Sequence, residues 1–176
     1  MNEREAYRAD RDRYPDRAFK REQSLWAIKV YRFGRHNDQR HAGFVRSVND
    51  RLYWFWFRIV ETLTGCSFTK AVEIGPGFRI YHFGNIFIHS GVKIGSNCTL
   101  RQGVTIGNRE EGGPVPVVGD NVEFGAYAQV LGGIRIGNGA RIGAMSVVLQ
   151  DVPAGATAVG IPARIILPKN GASKNG

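Results

Sequence analysis

The chain is poor in three features that would assign it to other classes of protein. Its 2 cysteines are too few for a disulfide framework or a four-cysteine metal site. Its 7 prolines exclude a collagen or a Pro/Gly-rich linker. The longest apolar stretch, residues 52–60, is interrupted by Arg58 and is too short to span a bilayer. The charged N-terminus does not have the pattern of a signal peptide, so a cytoplasmic location is expected.

Positive charge exceeds negative charge, and most of the excess lies in the first 70 residues. The 24 Lys/Arg and 15 Asp/Glu residues give a formal charge of +9. A basic surface can attract nucleic acid, anionic lipid or a phosphorylated ligand, and solubility or pairing between subunits is the plainer explanation. Because the sequence contains no motif that reads DNA or RNA, we expect no nucleic-acid partner.

Glycine is abundant, with 23 residues, and a repeat of six residues explains it. The second position of the hexad is often glycine, which we attribute to a tight turn. The fifth position is mostly small or β-branched. The first position is always bulky and apolar: Ile88, Ile94, Leu100, Ile106, Val118, Phe124, Val130, Ile136, Ile142 and Val148. A period of six fits neither a helix nor a plain alternating strand, and it predicts short strands that stack as a parallel β-helix.

The hexads are interrupted twice. An earlier copy of the pattern starts at Ile74 and Ile80, and its phase slips by two within residues 82–85. The second break covers residues 108–117, which are rich in Gly, Pro and Glu. Irregularities in a solenoid mark loops that leave the stack, and loops carry function. Tolerated insertions without a role are the alternative.

The N-terminal part of the chain has helical rather than hexad periodicity. Residues 24–36 predict a helix with Ser24 as its N-cap, and residues 43–63 predict a second helix that is aromatic on nearly every side. Such a helix must be buried on the β-helix or on another subunit, and contact with a membrane surface is the alternative. Residues 1–20 are expected to be disordered or weakly helical. The predicted division is a helical segment 1–68, a β-helix 69–167 and a flexible tail 168–176.

The hexads resemble those of the hexapeptide-repeat acyltransferases. The resemblance is carried by IGPGFRIYHFGNIFIHSGVKIGSNCTLRQGVTIGN and by VVGDNVEFGAYAQVLGGIRIGNGARIGAMSVVLQDVPAGATAVGIPARII. Within that superfamily the chain is similar to the serine acetyltransferase group, especially to its short members associated with exopolysaccharide loci. The resemblance implies a mainly β fold, a left-handed parallel β-helix with an N-terminal helical segment. It also implies a homotrimer with sites shared between subunits and acetyl-CoA as co-substrate. No metal is expected, because a zinc site would need three histidines and the hexad region has only His82 and His89.

The resemblance places the catalytic histidine of the family at His82. An imidazole titrates near neutral pH and can act as the general base that removes a proton from an acceptor hydroxyl. His89 is the rival base. The chain departs from the family twice, because Tyr81 stands where the family has Asp, and the loop NREEGGPVPVVG lacks the Arg-His pair of the family. The candidate supporting residues are Tyr81, Asn85, Glu110 and Glu111.

The resemblance also implies a groove between coils for the pantetheine arm of CoA. Small residues there would let the ligand approach the backbone. The candidates carried over to this chain are Gly107, Asn108, Gly125, Ala126, Gly143 and Ala144. Arg141 and Arg164 are the candidates for contact with the CoA phosphates, since an arginine fork suits phosphate. Surface or intersubunit charge is the plainer explanation of both arginines.

We therefore expect an acetyl-CoA-dependent O-acetyltransferase with His82 as general base. The missing Asp and loop His favour a sugar or exopolysaccharide hydroxyl as the acceptor. Serine O-acetylation for cysteine biosynthesis and an inactive solenoid scaffold are the alternatives.

Overall fold

Helices precede short strands along the chain, in a computed structural model that describes residues 2–168. The helices are α1 (Glu3–Arg11), α2 (Ala18–Arg21), α3 (Ser24–Asp38) and α4 (Phe44–Thr64). The strands are β1 (Cys66–Ser67), β2 (Glu73–Ile74), β3 (Arg79–Ile80), β4 (Ile86–Ile88), β5 (Lys93–Ile94), β6 (Thr99–Leu100), β7 (Thr105–Gly107), β8 (Val117–Val118), β9 (Glu123–Phe124), β10 (Gln129–Leu131), β11 (Arg135–Ile136), β12 (Arg141–Ile142), β13 (Val147–Val148), β14 (Thr157–Gly160) and β15 (Ala163–Ile166).

The strands form three sheets that run along a parallel β-solenoid. Sheet A has the order β1-β4-β7-β10-β13, sheet B the order β11-β8-β5-β2, and sheet C the order β15-β14-β12-β9-β6-β3. From β1 to β13, successive strands of the chain go to different sheets, so each full coil places one strand in each sheet. Only β14 and β15 pair antiparallel among the described strands, and they form a hairpin at the end of sheet C.

The strand register explains both irregularities of the repeat. Val118 pairs with Ile136, three hexads further along the chain. Ile74 instead pairs with Ile94, so this coil contains two residues more than three hexads. Ile94 pairs with Val118, so the next coil contains a full extra hexad, which forms the loop after β7. The insertions therefore leave the stacking of the coils intact.

The predicted core of the solenoid is confirmed. Every first-position residue from Ile88 to Val148 is at most 5% exposed. The fifth-position residues are buried too: Val92, Cys98, Val104, Val122, Ala128, Ile134, Ala140, Ser146 and Val152. Each coil therefore supplies one large and one small inward side chain per side of the solenoid.

The second-position glycines serve a purpose different from the predicted turn. A Cβ added at Gly75 would lie 2.7 Å from the carbonyl carbon of Gly95, and one added at Gly95 would lie 2.6 Å from that of Gly119. These glycines are therefore required by the close stacking of coils. The left-handed turn falls two residues later, at positions such as Asn97 (φ 58°) and Asn121 (φ 57°). Asparagine tolerates that conformation better than most residues with a side chain.

The N-terminal residues are more ordered than the composition predicts. Helix α1 begins with a capping box in which the Asn2 side chain accepts from the backbone N–H of Glu5 and the Glu5 side chain accepts from Asn2. Ser24 is not the N-cap of α3, since its hydroxyl donates to the carbonyl of Ile80 in the solenoid at 2.9 Å.

The solenoid pairing also starts earlier than residue 69, because Cys66 in β1 pairs with Ile86. Apart from Pro168, the predicted tail lies outside the described residues.

Helix α4 is buried along one face only, which corrects the expectation of burial all round. Tyr53, Phe57 and Val60 are buried, whereas Trp54 and Phe55 remain 45% and 58% exposed. None of the described helices has the length and apolar character needed to cross a membrane.

Candidate active site

His82 lies in a bulge at the corner between sheets C and A. The backbone N–H of Tyr81 donates to the carbonyl of Leu100 on the next coil at 3.0 Å, and pairing resumes where Gly103 donates to the carbonyl of Gly84 at 2.9 Å. The two extra residues of this coil are therefore His82 and Phe83. Both are exposed. The insertion pushes the imidazole away from the backbone ladder and towards solvent.

The residues that follow sheet C on successive coils stack into one line, which we call the corner row. The N–H of Tyr127 donates to the carbonyl of Gln102 at 2.9 Å, and that of Met145 donates to the carbonyl of Ala126 at 2.8 Å. The corner row comprises Tyr81, Gly84, Arg101, Gln102, Gly125, Ala126, Gly143 and Ala144. Because neighbouring strands lie about 4.8 Å apart, Ala126 is roughly 10 Å along the solenoid from the His82 coil. The structure thus brings His82 and four of the candidate CoA residues to one edge.

Tyr81 carries two cations beside the bulge. The guanidinium of Arg79 lies 3.9 Å from the centre of the Tyr81 ring, and that of Arg101 lies 5.0 Å from it. Such cation–π contacts are favourable and hold the groups in place. The position that is Asp in the resembling family is therefore part of a positively charged surface in this chain.

Gln102 and Arg101 are corner-row residues that the sequence analysis did not name. The Oε1 atom of Gln102 is buried without a hydrogen-bond partner among the described residues. Gln102 lies on the coil next to His82, between it and Ala126. The signal was present in the hexads, because both residues follow Leu100 as Tyr81 follows Ile80.

The rival base His89 lines a separate groove on the outer face of sheet A. This groove has a volume of about 300 Å³ and also contains Thr105, Gly107 and Asn108. The Nδ1 atom of His89 accepts from the backbone N–H of Gly91 at 3.1 Å, which fixes the ring. Strand β4 lies between His82 and His89 in the chain. The two histidines therefore lie at opposite ends of this strand, on different corners of the solenoid.

The loop after β7 leaves the solenoid at the same corner as His89. Glu110 and Glu111 are exposed, and the ordered contact of Glu110 is made by its backbone carbonyl, which accepts from the Asn108 side chain at 2.7 Å. Within one chain the loop therefore lies across sheet A from the His82 bulge. Asn85, by contrast, lies next to the bulge in the left-handed conformation, with φ of 53°.

The other candidates for CoA contact differ in exposure and in how closely neighbouring residues pack against them. A Cβ at Gly125 would fall 2.8 Å from the Cα of Ala144, so the stacking of coils alone requires glycine there, whereas a Cβ at Gly143 would fall 2.7 Å from the Val159 side chain. Ala144 is exposed and Ala126 is half-buried. Arg141 points outward 3.8 Å from the carboxylate of Glu123, a weak surface pair. Arg164 is exposed opposite Val159, where the corner row ends.

Both cysteines of the solenoid, Cys66 and Cys98, are buried. Burial raises the pKa of Cys98 to about 11, so the thiol stays protonated at neutral pH. Within residues 2–168, no three His, Cys, Asp or Glu side chains cluster as a metal site would require. His82 and His89 are the histidines of the solenoid, both are exposed, and either can be tested as a general base.

Comparisons with known proteins agree with the hexads and with the coiled fold. Residues 116–150 match the family model "Bacterial transferase hexapeptide (six repeats)", and residues 85–108 match "Hexapeptide repeat of succinyl-transferase". The serine acetyltransferase of Synechococcus elongatus is 43% identical over 106 residues, which make up 59% of this chain and 43% of that protein. The chain spans about half the length of the curated relatives it matches.

Solved structures resemble nearly the whole chain. The serine acetyltransferase of Neisseria gonorrhoeae in complex with serine superposes with a TM-score of 0.75 and 29% identity, covering 92% of this chain and 68% of that one. A serine acetyltransferase in complex with CoA gives a TM-score of 0.75 and 28% identity over 92% of this chain and 68% of that one. The solenoid is thus a left-handed parallel β-helix built on hexapeptide repeats. The repeat families, the curated relatives and the solved structures support the hexapeptide-repeat acyltransferase superfamily and its serine acetyltransferase-like group.

Proposed function

We propose that the protein is an acetyl-CoA-dependent O-acetyltransferase whose acceptor is the hydroxyl of L-serine. Support comes from the curated relatives, which are named serine acetyltransferases, and from related structures that hold serine or CoA. These likenesses favour serine over the sugar hydroxyl that the sequence pattern alone led us to prefer. Acetyl-CoA would supply an activated thioester as the acyl donor.

The observation that carries the proposal is the two-residue bulge that displaces His82 beside the corner row. A serine hydroxyl is a weak nucleophile until a base removes its proton. An exposed imidazole at this corner can approach such a hydroxyl and hold its proton. The adjoining coil places Arg101 and Gln102 beside the bulge, where their side chains can help to position the acceptor.

The corner row suits the elongated co-substrate. Ala126 and Ala144 present small side chains in line with the bulge, so an extended arm can lie along the row. Arg164, exposed at its far end, is available to phosphate, and Arg141 is held only by a weak surface pair. Lying along this edge, the donor would bring its thioester towards His82.

A homotrimer would complete the site. The bulge and the loop of residues 108–117 leave opposite edges of sheet A, so neighbouring copies packed around a threefold axis can bring the bulge of one to the loop of the next. Asn108, Glu110 and Glu111 would then reach an acceptor that His82 of another subunit activates. Closed symmetry of this kind is the general rule for soluble oligomers.

A hydroxyl acceptor without an ammonium group is the second candidate, and Tyr81 favours it. No carboxylate occupies this position to pair with the amino group of serine, and Arg79 and Arg101 make the surroundings positive. A neutral or anionic sugar would bind there at less electrostatic cost than an ammonium.

The first experiment measures CoA release from acetyl-CoA with L-serine as the sole acceptor, and then with nucleotide sugars and polysaccharide fragments. A serine-dependent rate well above hydrolysis supports the serine reading. Transfer to a sugar with none to serine replaces it by the second candidate. Bound CoA without transfer to any acceptor would indicate an inactive scaffold.

A second experiment tests the general base in the same assay. His82→Ala should lower kcat by about 10²- to 10⁴-fold, the usual contribution of a general base. His41→Ala, which removes an exposed imidazole from the α3–α4 connection, is the matched control and should leave kcat unchanged. If His89→Ala abolished turnover while His82→Ala did not, the base would be His89.

A further inference from the structure

An apolar groove lies between α3 and α4, and none of its lining residues belongs to the proposed site. It has a volume of about 650 Å³, and Lys29 is its single charged lining residue among the described part of the chain. Leu52, Trp56, Ile59 and Leu63 recur along α4 at helical spacing and form one wall. Trp56 is 48% exposed and Leu63 is 63% exposed. Exposed apolar side chains gathered in one place and rimmed by polar residues are typical of interaction sites.

A basic rim adjoins the groove. Phe19 lines the groove and also lines a neighbouring depression whose other residues are Arg17, Lys20 and Arg21. The Lys29 ammonium lies 4.5 Å from the centre of the Phe19 ring, so this aromatic residue joins the rim to the groove. Asp16 and Glu22 flank the segment in sequence, and its net charge stays positive.

Basic charge continues along α4 beside the apolar wall. Arg51 and Arg58 are exposed, and Phe55, 58% exposed, lies between them in sequence. Arg58 also pairs with Glu61 at 3.2 Å, so Arg51 is the more available of the two charges. Aromatic residues with flanking lysines and arginines are typical of helices that lie in the plane of a membrane interface. Anionic headgroups attract each nearby basic residue, while the apolar side chains enter the acyl boundary.

A second copy of the chain fits this surface less well. Two copies meeting groove to groove would bring two basic rims, each with Lys20, Arg21 and Lys29, into one interface. Like charges facing each other across an interface oppose association. The charge of the rim therefore favours an anionic partner over self-association.

We propose that the groove and its basic rim dock the protein on an anionic lipid bilayer, with α4 lying in the interface. Docking does not depend on the acceptor or on turnover, since no groove residue belongs to the corner row. The solenoid, joined to α4 through β1, is then held at the bilayer surface.

The experiment is co-sedimentation of the full chain with large vesicles of phosphatidylcholine, with and without 30% phosphatidylglycerol. Binding should require the anionic lipid and weaken as salt is raised. Lys20→Gln with Arg21→Gln should reduce the partition coefficient roughly thirtyfold at low salt, since each basic residue near the surface contributes comparably. Trp56→Ser should reduce it roughly tenfold or more by removing an inserting side chain.

The matched control is Arg4→Gln with Arg8→Gln, which removes the same charge from exposed positions on α1. This control should bind anionic vesicles nearly as well as the parent chain. Equal binding to both vesicle types, or equal loss in the control and the rim variant, would overturn the proposal. So would sedimentation velocity in which Trp56→Ser lowers the oligomer mass, because a second copy would then cover the groove. CoA release measured in parallel separates this outcome from failure of the proposed function.

Discussion

Arg32 shows at the residue scale how a charge is accommodated inside this fold. It is 3% exposed, and its guanidinium donates to Asp10 at 2.7 Å and to the carbonyl of Ile74 at 2.8 Å. Asp10 in turn accepts from the backbone N–H of Phe78 at 2.8 Å. Burial raises the pKa of Asp10, and the Arg32 guanidinium opposes that rise. The pair therefore links α1 and α3 to the first coil of the solenoid.

Removing one partner of this pair should cost far more than removing a surface charge. Asp10→Ala leaves the Arg32 charge buried with fewer acceptors, and it should lower the free energy of unfolding by about 3–5 kcal/mol. Urea denaturation at neutral pH measures this loss. Asp12→Ala is the control, because the Asp12 side chain is 68% exposed and pairs only with exposed Arg11. It should change stability by less than about 1 kcal/mol, and a comparable loss in both variants would contradict the role assigned to Asp10.

At the scale of elements, the stacking of coils depends on glycines at the second hexad position. Gly75→Ala places a Cβ 2.7 Å from the backbone of Gly95 and Ser96, which cannot move without disturbing the ladder. We expect a loss of about 1–3 kcal/mol, seen as a lower Tm. Gly107→Ala is the matched control at the same hexad position, where the Cβ would meet His89 at an ordinary 3.5 Å.

Both substitutions change the entropy of the unfolded chain alike, so their difference reports on stacking. The control should remain within about 0.5 kcal/mol of the parent chain. Equal melting temperatures for the two variants would show that the coils can separate enough to admit a methyl group.

The strands could be predicted from the sequence because one residue in six meets a single condition, burial inside the coil. Ile94, Leu100 and Phe124 satisfy it without reference to distant residues. The sequence did not show why the second hexad position needs glycine, because the reason is the short distance to the next coil. The order of helix α1 was underestimated, because it depends on Asp10 meeting Arg32, 22 residues away.

The candidate site was predictable only in part for the same reason. The slip that contains His82 is visible in the hexads, and the structure narrows the insertion to His82 and Phe83. The loop with Glu110 leaves the solenoid on the other side of sheet A from His82. This placement follows from the three-sheet geometry, which the repeat alone does not specify. Gln102 stands out because its Oε1 atom is buried without a hydrogen-bond partner among the described residues, and no sequence pattern records this.

At the scale of the whole molecule, the helical segment caps the open end of the solenoid. Strands β2 and β3 lie at the ends of sheets B and C, where their outer edges need partners. Tyrosine hydroxyls of the helical segment supply several of these hydrogen-bond partners. The Tyr31 hydroxyl donates to the carbonyl of Val72 and accepts from the N–H of Ile74, and the Tyr53 hydroxyl accepts from the N–H of Lys70 at 2.8 Å. The Tyr14 hydroxyl accepts from the N–H of Ile80 at 2.9 Å.

This cap should fail at alkaline pH. Burial raises the pKa of Tyr14, Tyr31 and Tyr53 to about 12 in each case. The unfolded chain ionises its tyrosines near pH 10, so between about pH 10 and 12 it loses protons that the folded chain retains. Each tyrosine should therefore lower the free energy of unfolding by roughly 1.4 kcal/mol per pH unit across that interval, with full stability below it.

Tryptophan fluorescence during urea unfolding at a series of pH values measures the effect, because Trp26, Trp54 and Trp56 all lie in α3 and α4. Tyr31→Phe should be less stable than the parent at pH 8, since it loses two hydrogen bonds to the first coil. Above pH 10 its stability should fall less steeply, because one of the three ionising phenols is gone. Parallel curves for the two proteins would mean that the alkaline loss arises elsewhere, for instance at Lys70, whose pKa is raised by its pairing with Asp38 and Asp50.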